Sequence, residues 1–277
     1  VLLAWVERRW PASEPVELVM EGLEEHGVVT FPRGTPIGQT KWKLLLDPID
    51  GTRGLMHDKR SAWTLAGLAP QRGAKTQLGD IVVAAMTELP TNKSGFVDQF
   101  SAVHDGGVRA ERVDLRTKTR RRFTPRPSSE TTLAHGFASF AKFLPEGKAW
   151  LAVREERLWR ELGLSGVSGG EPVFDDQYIS TGGQLYELIM GHDRFIADVR
   201  SVAFAALGLA DAASLPCHPY DLATLLVATE AGCVVTDENG RALRAPLDTT
   251  TPVAWVGYAN RSLARRIGPK LRKVLSR

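Results

Sequence analysis

The sequence predicts an α/β protein with an antiparallel, hairpin-rich first half and a second half that alternates helix and strand. Three observations predict it. Apolar runs of strand length, separated by glycine- and aspartate-rich turns, follow one another through residues 16–115. After Pro125 and Pro127, longer segments with helical spacing come between the short apolar runs. Twenty-six glycines and 16 prolines in 277 residues suit many turns better than a helical bundle.

Residues 1–10 read as a helix, with Leu2, Leu3 and Val6 opposite Arg8 and Arg9, stopped by Pro11. Val16–Met20 is a short strand, and residues 24–39, with Pro32, Gly34, Pro36 and Gly38, are turn-rich. Residues 41–46 alternate and then become wholly apolar, as a strand running inward does. Residues 61–68 and 80–89 are strands on either side of Gly73 and Gly79, and residues 95–103 and 108–115 form a hairpin around Asp105-Gly106-Gly107. In the second half, residues 131–138 are a strand, 150–162 a helix, 184–190 a short helix ended by Gly191, and 195–199 a strand. Residues 221–231 are a helix closed by Gly232, 233–236 and 253–258 are strands, and 262–275 a basic amphipathic helix. The change of texture divides the chain into residues 1–127 and 128–277.

Composition excludes several classes. With 43% hydrophobic and 24% charged residues, the chain is neither disordered nor fibrous. A formal charge of +3 does not by itself point to nucleic acid. The run from Arg109 to Arg126 holds eight basic residues against Glu111 and Asp114. It reads as a hairpin edge protected by charge, or as an anion-binding patch. Cys217 and Cys233 match no zinc or redox spacing, and sparse cysteine suits a reducing, cytoplasmic compartment. No apolar run approaches the ~20 residues of a membrane span, and no signal peptide pattern is present. His57 and His135 have no metal-ligand partner at useful spacing, and the tryptophans, Trp5, Trp10, Trp42 and Trp63 among them, read as core.

Chemistry is concentrated in two segments. In Leu44-Leu45-Leu46-Asp47-Pro48-Ile49-Asp50-Gly51-Thr52, an apolar strand ends at a carboxylate, and Pro48, lacking an N–H, is expected to end the ladder. Two carboxylates on one rigid turn repel unless one is protonated or a hard cation joins them. Mg²⁺ takes carboxylate and carbonyl oxygens, so Ile49 can add its carbonyl and Thr52 a hydroxyl. An Asx turn or helix cap at Asp50 explains the same spacing. The second segment, His218-Pro219-Tyr220-Asp221-Leu222-Ala223, opens an apolar helix that ends in Glu230-Ala231-Gly232. Asp221 there is either an N-cap or a ligand.

Asp47-Pro48-Ile49-Asp50-Gly51-Thr52 resembles the metal-binding signature of the inositol monophosphatase family, the Mg²⁺-dependent, Li⁺-sensitive phosphatases. Residues 219–232 resemble that family's second signature, and the two stand in the right order over nearly the whole chain. The resemblance implies a layered α-β-α-β-α sandwich, with an antiparallel sheet in the first half and a mixed sheet in the second. It implies hydrolysis of a phosphate monoester of a small metabolite (an inositol or sugar phosphate, histidinol phosphate or a 3′-phosphonucleotide) by metal-activated water. Two or three Mg²⁺ ions would be held by Glu21, Asp47, the carbonyl of Ile49, Asp50 and Asp221. Glu21, Asp47 and Thr52 would serve catalysis, with Glu24 and Glu25 as rivals to Glu21. Gly51, Thr52, Arg53, Ser180, Gly182 and Gly183 would line the substrate. A homodimer is also implied, while the short apolar runs and the near-neutral charge, not the resemblance, speak against a membrane or nucleic-acid partner.

Three departures stand out. The family's N-terminal Asp-x-x-Thr-x-x-Asp helix would precede Val1, so either residues come before it or the chain lacks that part. Ser214 occupies the position of an inositol-contacting glutamate, which weakens an inositol phosphate as substrate. Arg53 replaces a small polar residue and is placed to meet a second anionic group, or is a surface arginine. Two further readings stand beside the phosphatase. One is a family-fold protein that has lost catalysis and binds or regulates; the other is a nucleic-acid-associated protein using residues 109–126.

Overall fold

The computed structural model describes residues 2–23, 25, 28–167, 169–209 and 215–276. Two sheets organise it. The larger has eight strands in the order β2-β1-β3-β4-β5-β6-β7-β8, and the smaller has four in the order β11-β12-β10-β9. The large sheet comprises β1 (Val16–Met20), β2 (Val29–Phe31), β3 (Trp42–Asp50), β4 (Ala62–Pro70), β5 (Val83–Leu89), β6 (Phe96–Val103), β7 (Gly107–Asp114) and β8 (Arg120–Phe123). Only β1 and β3 run parallel; every other neighbouring pair is antiparallel. The small sheet comprises β9 (Phe137–Phe140), β10 (Asp193–Asp198), β11 (Val234–Thr236) and β12 (Trp255–Tyr258). It is mixed, with β9 parallel to β10.

Helices fill the remaining layers. α1 (Leu2–Arg9) lays Val6 on Val16, Leu18, Leu44 and Leu46, on the outer face of the large sheet. α4 (Thr181–Ile189) and α6 (Leu225–Glu230) lie between the sheets. Their Leu185, Leu188, Leu226 and Val227 join Trp63, Leu65, Phe100 and Trp255 in the main core. α3 (Lys148–Leu162) and α7 (Arg261–Leu275) cover the far face of the small sheet through Leu151, Leu158, Leu263, Ile267 and Leu271. The result is the expected α-β-α-β-α sandwich. Inward-facing strand residues are apolar because both faces of each sheet are partly covered.

Several local expectations need correction. Pro48 does not end β3. The register shifts between Asp47 and Asp50, and the ladder resumes at Asp50 opposite Trp63. A bulge lets the strand pass a residue that cannot donate. Residues 29–31, within the segment read as turns, form β2, three buried residues on an antiparallel edge. The strand expected at 131–138 lies later, at Phe137–Phe140, and α5 (Arg200–Ala206) was not foreseen. The helix expected at 221–231 is a 3₁₀ turn, Pro219–Leu222, followed by α6. Trp5 is exposed rather than core, and Trp10 and Trp42 are half-buried, both donating to Glu14. His57 and His135 face solvent.

The basic run forms the β7–β8 hairpin at the sheet edge. Arg112 makes a bidentate pair with buried Asp98, at 2.7 and 2.6 Å, and Arg120 and Arg122 sit beside Glu111. That is the charged-edge arrangement, with part of the charge neutralised inside the sheet. Among the described residues no helix is long and apolar enough to cross a membrane.

Candidate metal and phosphate site

The bulge in β3 builds one side of the site. In a regular strand, side chains three apart point to opposite faces. The interruption at Pro48 and Ile49 breaks that alternation and brings Asp47 and Asp50 together. Thr64 Oγ1 ties the bulge down by donating to the Pro48 carbonyl at 2.9 Å, and the Ile49 N–H donates to Asp47 Oδ1 at 2.9 Å. Gly51 follows at φ +92° and opens the short α2 (Thr52–Met56). A side chain at Gly51 would be strained, and its Cβ would sit 2.9 Å from Ser180 Cβ.

The second half supplies the opposite wall. Ser180 caps α4, and Asp50 Oδ2 accepts from Ser180 Oγ at 2.8 Å and from the Gly182 N–H at 2.5 Å. The Gly183 N–H is spent on Ser180 Oγ at 2.9 Å. Thus Ser180 and Gly182, expected to line the substrate, hold Asp50 from 130 residues or more along the chain, and Gly183 holds Ser180. Asp221 is the third residue of the 3₁₀ turn and reaches back to its start, where its Oδ2 accepts the His218 N–H at 2.6 Å. A carboxylate is favoured at such a helix start because the first N–H groups have no intrahelical partner.

Asp47, Asp50 and Asp221 each place a carboxylate oxygen within 4.8 Å of the others. Asp47 is 1% exposed and Asp50 7%. None of the three forms an ion pair among the described residues; the nearby buried Arg200 is committed to Asp198, at 2.8 and 2.6 Å. Burial holds all three carboxyls above the usual carboxylate range. The charges of Asp50, Glu21 and Asp221 add to the effect on Asp47, and that of Asp50 adds to it on Asp221. Hydrogen bonds from Gly182, Ser180 and Thr181 limit the rise at Asp50, which reaches about 6.

These acids line a cleft of about 200 Å³ together with Glu21, Ile49, Gly51, Thr52 and Arg53. Glu21 lies just past β1, its N–H donating to the Leu46 carbonyl at 3.2 Å. Its charge also adds to burial and Asp221 in raising the Tyr220 phenol. Glu25 does not line the cleft, and Glu24 and Ser214 lie outside the described residues. Thr52 and Arg53 are exposed, and the Thr52 hydroxyl donates to the Ile49 carbonyl at 2.7 Å. Sequence reasoning missed Gln184 and Arg200 in the cleft wall. Gln184 Oε1 is buried with no hydrogen-bond partner among the described residues. Neither carried a signal: Gln184 is one polar residue in an apolar helix, and Arg200 gains meaning only from where α5 starts. A roomier concavity of about 690 Å³ beside Arg109 and Arg122 is open sheet surface and contains no acid cluster.

Comparison with known proteins agrees with this architecture. The family profile described as the inositol monophosphatase family matches residues 16–275. Extragenic suppressor protein SuhB from Bartonella henselae is similar in structure, with a TM-score of 0.62 at 17% identity, over 98% of this chain and 82% of that one. Fructose-1,6-bisphosphatase from Leishmania major gives a TM-score of 0.64 at 13% identity, over 96% and 77%. SuhB from Mycobacterium tuberculosis gives 0.58 at 15% identity, over 99% and 81%. No curated protein matches the chain in sequence. With its layered sandwich, its two acidic motifs brought to one cleft and a profile match over nearly its whole length, the chain belongs to the inositol monophosphatase family.

Proposed function

We propose that the protein is a magnesium-dependent phosphatase that hydrolyses a phosphate monoester of a small metabolite. One observation carries the reading: three carboxylates from two distant segments of the chain, two of them buried and Asp221 half-buried, lie within 4.8 Å of one another with no ion pair among the described residues. Such a group is costly to ionise alone, and a hard divalent cation with oxygen ligands removes the cost. The donor set fits Mg²⁺: Asp47, Asp50 and Asp221 would hold it, with Glu21 and the Ile49 carbonyl as further oxygens on the same cleft. When bound, the metal supplies Lewis acidity and a water of lowered pKa.

The chain's own groups position the reaction. The Thr52 hydroxyl donates its hydrogen bond to the Ile49 carbonyl, so the Oγ1 lone pairs remain to accept a hydrogen bond from the attacking water. The N–H groups of Gly51 and Thr52, where α2 begins, are suited to phosphate oxygens. Phosphoryl transfer asks little covalent chemistry of side chains, so positioning and charge are the protein's main contribution.

The test is release of inorganic phosphate from a panel of phosphorylated metabolites, with Mg²⁺ and with chelator. Turnover is expected only with the metal. In Asp221→Asn it is expected to fall at least as far as the ~10–100-fold that loss of an outer partner of a metal ligand costs. Metal-independent turnover, or full activity in Asp221→Asn, overturns the proposal.

A further inference from the structure

We infer that the valley between α3 and α7 docks an acidic segment of a partner protein, held by Arg154, Arg157, Arg160 and Lys273. The valley shares no residue with the acidic cleft, so its occupancy does not depend on the phosphatase reading. Residues 261–276 hold six basic residues and no acid, although the whole chain carries only +3. α7 brings these cations against α3. Lys273 Nζ donates to Glu161 Oε1 at 2.8 Å, and Lys270 Nζ donates to the Glu161 carbonyl. A concavity of about 400 Å³ opens beside that contact, lined by Arg157, Arg160, Glu161, Lys273 and Val274.

The positive charge there is poorly compensated. Glu161, the one acid of the lining, is taken by Lys273. Arg160 meets Glu156 at 3.5 Å on the open surface, where an ion pair counts for little. Arg157 is exposed and has no ion-pair partner among the described residues. Arg154, one helical turn before it, is the least satisfied. Its guanidinium carbon lies 3.5 Å from the Trp150 ring centroid, and its Nη1 donates to the Trp150 carbonyl at 3.4 Å. Its Nε is buried with no hydrogen-bond partner among the described residues. Burial first, and then the Arg157 charge, hold its pKa below the usual arginine value. A guanidinium partly stripped of water beside a second unpaired one is stabilised by carboxylates, which meet it in a fork of two hydrogen bonds.

Shape selects among the polyanions. The cations line a concavity between two helices of 15 residues, each ~22 Å long. A bilayer is flat and a duplex is convex, so neither follows such a valley, whereas a single chain does. Single-stranded nucleic acid would need free aromatic faces for its bases. Arg154 covers a face of Trp150, and Trp159 packs against Phe140 and Phe195. A peptide rich in Glu and Asp fits both the groove and its charge.

The test is fluorescence anisotropy with a labelled peptide of alternating glutamate and alanine, about 12 residues long and so able to run the length of the valley. Its counterpart has glutamine for glutamate. The wild type is expected to bind the glutamate peptide about tenfold more tightly than the glutamine one, and to lose that preference as salt rises. Arg154→Gln/Arg157→Gln is expected to weaken binding about tenfold. Arg116→Gln/Arg121→Gln removes the same charge from exposed positions around the β7–β8 hairpin and is expected to leave binding unchanged. No preference for the glutamate peptide, or equal losses in the two double variants, overturns the inference. So does tighter binding of single-stranded RNA or of phosphatidylserine vesicles that Arg157→Gln abolishes, since the partner is then a nucleic acid or a bilayer. If circular dichroism shows that the Arg154 variant does not fold, Arg157→Glu, at an exposed position, decides alone: a loss of about tenfold or more supports the inference, and unchanged affinity overturns it.

Discussion

Replacing Asp50 with asparagine separates what the acid cluster does for metal from what it costs the fold. Asp50 is buried, and its carboxyl is raised from 3.8 to about 6 in the metal-free protein, by burial first and by Glu21 among the neighbouring charges. The folded state therefore holds a proton that the unfolded chain has released, between about pH 4 and pH 6. Stability falls with rising pH wherever the folded state binds more protons, so the share of the loss that belongs to Asp50 falls across that window, while Asp47 and Asp221, also raised, carry the loss in the metal-free protein to higher pH in wild type and variant alike. About two pH units at 1.36 kcal/mol each make the loss roughly 3 kcal/mol. An asparagine side chain in its place stays neutral and keeps an acceptor oxygen for Ser180 and Gly182. Asp50→Asn is thus expected to match the wild type near pH 4. Above pH 6, in chelator, it should be the more stable protein by about 3 kcal/mol, a rise of roughly 5–10 °C in Tm for a chain of this size. Mg²⁺ should reverse the order. At about 1,000 times Kd a ligand adds ~4.1 kcal/mol to the wild type, and the variant, lacking a ligand charge, should gain much less. Scanning fluorimetry at pH 4–8, with chelator or Mg²⁺, reads both effects. A variant no more stable than the wild type at pH 7.5 in chelator, or an equal Mg²⁺ shift in both proteins, would refute the reasoning.

Two other substitutions probe how the site is held. In Gly182→Ala the new Cβ would lie 2.7 Å from Leu65 Cδ2 and 3.0 Å from Asp50 Oδ2. It should cost the ~1–3 kcal/mol typical of overpacking and weaken Mg²⁺ uptake measured by calorimetry; unchanged uptake would mean that Asp50 does not need that close approach. Arg200→Ala leaves buried Asp198 without its bidentate partner and the Leu215 carbonyl without a donor. A loss of ~3–5 kcal/mol is expected in denaturant unfolding, and a change below about 1 kcal/mol would show the pair to be idle.

Much of the site was legible before any coordinates. Asp47, Asp50, Asp221 and Thr52 stood out because the two segments that hold them resemble a family's paired signatures, whereas spacing alone left an Asx turn or a helix cap open at Asp50 and Asp221. Most strands of the large sheet were legible too, since alternating apolar residues bounded by turns report their own pairing. Short elements were less so. β2 has three residues amid prolines and glycines, and it is a strand because β1 offers it an edge. α5 carries no strong periodicity and follows a strand with one residue between them, so nothing local marks its start. Ser180, Gly182 and Gly183 were noticed as a loop for substrate; Ser180 does line the cleft, and what the sequence did not show is that Ser180 and Gly182 also donate to Asp50, 130 residues or more away.

By itself, the amino-acid sequence determined a hairpin-rich first half and an alternating second half, because periodicity is a local property, and the likeness of its two acidic motifs to a known family implied the layered sandwich and the candidate carboxylates. Tertiary structure decided what depends on two segments meeting. It turned the bulge at Pro48 into a device that brings two aspartates to one side, aimed the N-terminus of α4 at Asp50, and set Arg157 and Arg160 of α3 beside Lys273 of α7 in one valley. Distance along a chain says nothing about distance in space, and charge acts through space.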